Sequence, residues 1–88
     1  MKNTAKKPYF IWDYDVDEET LRSYLTGSDL FLKRWAEARI LSHANIADVW
    51  GYLSVDEIAK NLSQLKLRPQ IRTLWVRALE AWGYHVAT

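Results

Sequence analysis

The chain has 88 residues, with five Trp, five Tyr and no Cys. That length allows one small domain, and a Cys-free composition that is 49% hydrophobic excludes disulfides, thiolate zinc sites, a cysteine nucleophile and intrinsic disorder. A net charge of +1 creates no global field for nucleic acid, and no apolar run approaches the ~18–20 residues that span a bilayer.

Residues 1–8 are polar and Lys-rich and read as a flexible basic tail closed by Pro8. The start, MKNTAKKPYFIW, is basic but has no long apolar stretch and no small-residue cleavage site. No secretory signal is expected, and a cytoplasmic location is. Residues 9–88 read as a single domain. Residues 9–12 are an apolar quartet of irregular structure. A first helix is predicted over about 17–26, with Asp15 and Glu18 as an Asp-x-x-Glu box and Glu19 in the first turn. Gly27 stands where a helix end wants positive φ. Leu21, Tyr24 and Leu25 share one face. A second helix starts after Ser28 or Asp29, both good caps, and reaches about His43. A short third helix follows Asn45, carrying Ile46, Val49, Trp50 and Leu53 at helical spacing.

Ser54 and Glu57 form a capping box that opens a fourth helix over about 55–65. Val55, Ile58, Ala59, Leu62 and Leu65 give it a narrow apolar stripe. Leu67-Arg68-Pro69 breaks the chain. Pro69 suits the first position of a fifth helix and Gly83 its C-terminal side. No segment alternates with period two. The predicted fold class is all-α: a compact single domain of about five short helices with an irregular N-terminal segment. Its expected core comprises Trp35, Ala38, Leu41, Trp50, Ile58, Leu62, Ile71, Trp75, Leu79 and Trp82.

Catalytic patterns are missing from the sequence. Asp13, Asp15 and Asp17 alternate as in a calcium loop, but Glu18 stands where that loop needs Gly, and Tyr24 where it needs a bidentate Glu. The two His, at 43 and 85, have no metal-ligand spacing, and His85 reads as solvated. The three Gly are isolated, and no G-x-S-x-G elbow frames a nucleophile. The chain therefore reads as a non-enzyme without metal or cofactor.

Three features remain as candidate binding elements. The first is the acidic run Asp13, Asp15, Asp17, Glu18 and Glu19 beside Trp12 and Tyr14, a composition common at interfaces. The second is Arg39. Leu30, Phe31, Leu32, Trp35, Ala36, Ala38, Ile40 and Leu41 cover most of the second helix, so Arg39, Ser42 and His43 fall within or beside its apolar arc. An Arg39 in that arc must pair with a carboxylate (Asp48 or an acid of the 13–19 run), bond carbonyls, stack on an aromatic or face a partner. The third is the cluster Lys66, Arg68 and Arg72 at the start of the fifth helix, where free N–H groups and cations make an anion site and solvated charge is the plainer reading. Charge is also split. Residues 1–57 carry seven Lys or Arg against ten Asp or Glu; residues 58–88 carry five against one.

The segments FIWDYD, RWAEARILSHANIADVWGYLSVDEI and LKLRPQIRTLWVRALEAWG together resemble a group of small bacterial proteins often encoded beside AbiEii-type nucleotidyltransferase toxins. The resemblance runs from about Tyr9 to Gly83. It is carried by Trp12, Asp13, Trp35, Arg39, His43, Trp50, Leu67, Arg68, Pro69, Trp75 and Trp82. It implies an antitoxin that binds and neutralises its toxin, and it implies no catalytic residues. On this reading the acidic run docks on a basic toxin surface, or the Lys66–Arg68–Arg72 cluster meets acidic toxin groups. A different reading takes the fourth and fifth helices as a helix-turn-helix that enters DNA, though the linker lacks a turn Gly and the last helix is heavily apolar. An unrelated scaffold or oligomerisation domain is the third.

Overall fold

The computed structural model describes residues 8–84. Five α-helices account for most of them: α1 Glu18–Thr26, α2 Leu30–His43, α3 Ile46–Val49, α4 Val55–Asn61 and α5 Pro69–Ala81. Two 3-10 turns, Tyr9–Ile11 and Leu62–Gln64, complete the regular structure. The fold class is all-α, with no strand among the described residues.

Local chemistry starts and stops most helices where the sequence indicates. Asp29 caps α2, accepting from the backbone N–H of Phe31 and Leu32 at 3.0 and 3.2 Å. Ser54 and Glu57 close the reciprocal capping box of α4. Pro69 occupies the first turn of α5. At its other end Gly83 has φ of 90°. The Tyr84 N–H donates to the Leu79 carbonyl and the Gly83 N–H to the Glu80 carbonyl, the double closure of a Schellman end.

Three local expectations are corrected. The cap of α1 is Asp17, whose carboxylate accepts from the Thr20 N–H at 2.8 Å; Asp15 does not form the box. Gly27 has φ of −80° and extended backbone, so it is not a left-handed position. Its small size matters for another reason: a Cβ there would come within 2.9 Å of the Ser23 carbonyl oxygen. Finally, α3 stops at Val49, and α4 gives way to a 3-10 turn at Leu62, so both predicted helices overran.

The core gathers on α2, which packs chiefly on α1 and also meets α3 and the turn at Tyr9–Ile11. Ile40, Leu21, Val49, Leu62, Leu79, Ile11 and Phe10 are fully buried together. Of the expected core, Leu41, Ile58, Leu62, Trp75 and Leu79 are buried. Trp35, Ala38 and Ile71 pack against it from partly exposed positions. Trp50 and Trp82 do not belong to it, at 40% and 46% exposure. Trp50 instead lies between the other two rings, meeting Trp75 and Trp82 edge-on with ring centres 6.1 and 5.7 Å apart. Only Trp75 goes inside, where its indole N–H donates to the Leu41 carbonyl at 3.0 Å. Nor is α2 buried all round, because Leu30 and Phe31 in its first turn stay exposed. One charged residue does enter the core. Glu37 is 2% exposed and sits between α2 and α4, where Asn61 Nδ2 reaches its Oε2 at a long 3.4 Å.

Candidate interaction face

The segment Trp12-Asp13-Tyr14 is a clasp for Arg39. The Arg39 Nε donates to the Phe10 carbonyl at 3.0 Å, and its Nη2 is ion-paired to Asp13 Oδ1. The guanidinium lies 4.7 Å from the Trp12 ring centre and 5.3 Å from that of Tyr14, within cation–π reach of both. The Arg39 side chain is left 15% exposed. Its partner is thus internal and comes from the acidic run; Asp48 instead accepts from the Tyr9 hydroxyl at 2.6 Å. That hydroxyl in turn accepts from the Asn45 N–H at 2.7 Å, which pins the N-terminal turn to the start of α3.

The remaining acids of the run are dispersed. Asp17 is spent on its cap, and backbone donation holds its carboxyl below the usual carboxylate range. Glu18 pairs with Arg22 at 2.9 Å and accepts from the Tyr52 hydroxyl at 2.8 Å. Burial and that carboxylate push the Tyr52 hydroxyl up to about 12. Asp15 and Glu19 are exposed. Hence the five carboxylates do not converge into one acidic surface.

The basic cluster divides as well. Arg72 is not an open anion ligand. Its Nη1 donates to the Leu62 carbonyl at 2.8 Å and its Nη2 to the Leu65 carbonyl. It thereby satisfies carbonyls of the 3-10 turn that precedes α5. Lys66 and Arg68 are exposed and form no ion pair among the described residues. His85, in the sequence reading a solvated histidine, lies outside the described residues, as do residues 1–7 of the predicted tail. Pro8, the last residue of that tail, is buried and its carbonyl accepts from the Ile11 N–H.

What folding does bring together is the clasp and the two open cations. A hollow of about 220 Å³ is lined by Trp35, Ala38, Arg39, Ser42, His43, Lys66 and Arg68. The His43 imidazole meets the Trp12 ring edge-on at 5.1 Å. Partial desolvation and the charges of Arg39 and Arg68 lower its pKa, against the opposing pull of Asp13. Beyond Trp35 the hollow continues into a larger groove of about 520 Å³ between Phe31, Arg34, Trp35, Ala38, Gln64 and Lys66. Phe31 stands at its edge, 76% exposed.

Phe31, Arg34, Trp35 and Gln64 did not emerge as site residues from the sequence. Phe31 and Trp35 are four apart and Arg34 adjoins them, so they share a helical face. Yet the same spacing describes a core stripe, and only the position of the 62–66 segment makes it a groove. No group of three His, Asp or Glu able to hold a metal occurs among the described residues. No helix there is long and apolar enough to cross a membrane. Comparison with family models, curated proteins and solved structures finds no match to the chain.

Proposed function

We propose that this chain is a non-catalytic protein-binding domain that neutralises a nucleotidyltransferase toxin by direct contact. The toxin identity comes from the sequence resemblance. The observation that supports a binding role is the open face of α2, where a largely apolar groove is lined by Phe31 and Trp35 and by the cations Arg34 and Lys66, with Arg68 in the adjoining hollow. Aromatic and Arg-rich patches with little net charge at their centre are typical of protein interfaces. The charge-spent acidic run gives less support to docking through Asp13, Asp17 and Glu18, whose carboxylates already have partners.

Helix α5 offers little to a DNA groove. Its exposed residues Pro69, Gln70, Thr73, Leu74, Arg77, Glu80 and Ala81 include one cation, whereas phosphate contacts by several cations supply most DNA affinity. Co-expression with an AbiEii-type nucleotidyltransferase toxin from the same genome, the class of partner that the resemblance implies, tests the proposal. Restored growth and a complex that co-purifies are expected. Toxicity unrelieved by this chain, with no complex, would refute it, and binding of the isolated chain to its own promoter would favour the DNA reading instead.

A further inference from the structure

We infer that the groove between α2 and residues 62–66 is a docking site for an acidic amphipathic helix of the partner protein. This inference rests on the protein-binding reading above and specifies the chemistry of what is bound.

Shape comes first. The groove and the adjoining hollow run along one face of α2 from Phe31 to His43. At 1.5 Å per residue that is ~18 Å, the length of about three helical turns. No strand edge exists among the described residues for an extended peptide to join, so strand addition is excluded there. The length and the largely apolar lining fit an amphipathic helix laid in a groove. Its apolar residues would meet Phe31, Trp35 and Ala38.

Charge selects the polar side of the ligand. Arg34 and Lys66 border the groove, and Arg68 follows Lys66 along the hollow. None of the three is ion-paired among the described residues. Of the acids beside this face, Asp13 is committed to Arg39, and Glu37, whose charge Arg34 feels, is buried in the core. A helix bearing Asp or Glu along its flanks answers these cations, and one bearing Lys or Arg meets repulsion.

A single-stranded nucleic acid also carries negative charge, but it needs open aromatic faces on which bases stack. The rings here are largely taken. Tyr14 and Tyr24 approach Trp35 edge-to-face at 5.0 and 6.2 Å. Arg39 occupies a face of Trp12, with His43 against that ring as well. Phe31 alone is left open along the groove.

The test uses Phe31→Ser and Lys66→Glu in the full chain. Both side chains are exposed, so thermal unfolding should match wild type, which separates lost binding from lost folding. The probes are a designed peptide of about three helical turns with Leu on one face and Glu on the other, its Lys counterpart, and oligo-dT. The Glu peptide should bind, more weakly as salt rises, and Phe31→Ser should weaken it about tenfold or more. Lys66→Glu should weaken it and flatten the salt dependence, and the Lys peptide should not bind. No binding of the Glu peptide, equal binding by the variants, or preference for oligo-dT would overturn the inference. In co-expression with the transferase, loss of rescue by either variant supports the site. Full rescue by both overturns it and leaves the antitoxin reading standing. Failure of wild type to rescue defeats that reading instead, and the peptide measurements then decide the groove by themselves.

Discussion

Replacing Glu37 by Met should make this domain more stable at neutral pH, although it deletes a charged residue from the centre of α2. The Glu37 side chain is buried, its Oε1 has no hydrogen-bond partner and its Oε2 has only the long contact from Asn61. Leaving a buried polar atom unsatisfied costs about 1–3 kcal/mol. Met has similar length and good helix propensity and carries no such atom. A gain of about 1–3 kcal/mol is expected, or roughly 4–8 °C in Tm for each kcal/mol in a domain of this size.

The gain should depend on pH. Burial raises the Glu37 pKa, and the nearby charge of Glu57 adds to the rise; Lys33, Asn61 and Arg34 oppose it. The carboxyl therefore holds its proton more tightly folded than unfolded. Its contribution is intact below the unfolded value, near 4.3, and is lost as pH rises through the raised folded value. Glu37→Gln, which cannot titrate, should track wild type in acid and exceed it at neutral pH. Urea unfolding of wild type and both variants at about pH 4 and pH 8 measures these differences, bracketing that titration. Equal differences at both pH values would refute the buried, proton-holding carboxyl, and a destabilised Met variant would show that Glu37 has a partner that compensates its burial.

Three further outcomes are expected. Arg72→Met strips the donor from the Leu62 and Leu65 carbonyls and should cost about 2–4 kcal/mol in a chemical melt; a loss below half a kcal/mol would return Arg72 to the list of open cations. A double-mutant cycle of Asp13→Asn and Arg39→Met should give a coupling of about 0.5–3 kcal/mol, and additivity would mean that Arg39 is held by the Phe10 carbonyl and the Trp12 and Tyr14 rings without the carboxylate. NMR titration of His43 should find a midpoint below the ordinary value near 6.5. The folded state then disfavours the proton, so this site's contribution is intact above the unfolded value and is lost as pH falls through the lowered folded value. Arg68→Gln should raise the midpoint, and no movement would place that charge too far away to act.

Sequence legibility followed the range of the interactions. Asp29, the Ser54–Glu57 box, Pro69 and Gly83 act within one turn of themselves, so composition and spacing sufficed to place them. Gly27 shows the limit of that logic, because its backbone is extended and its role is to admit the Ser23 carbonyl. Trp50 and Trp82 have helical spacing as good as that of Trp75. Whether a ring is covered depends on the element opposite, which periodicity does not specify. The pairing of Arg39 with an acid of the 13–19 run was readable as a class. Asp13 is the one that pairs with it, on the segment that follows the Tyr9–Ile11 turn against α2. Arg72 resembled an anion ligand since it lies at a helix start; its true partners are carbonyls seven and ten residues earlier. Glu37 gave no signal, as an acid at its position is ordinary for a helix until α4 closes over it.

The edge-on Trp50, Trp75 and Trp82 rings have a spectroscopic consequence. Indoles held this close in a fixed, skewed arrangement couple their electronic transitions. The coupling produces circular dichroism of opposite signs within the same far-ultraviolet region where helices absorb. An apparent helix content taken from ellipticity will therefore be distorted in this protein. The distortion is itself informative, because it reports ring geometry and not backbone. Loss of the couplet ahead of the helical bands on heating would mark α3 and α5 parting while each is still coiled, and Trp50→Phe supplies the blank against which that signal is read.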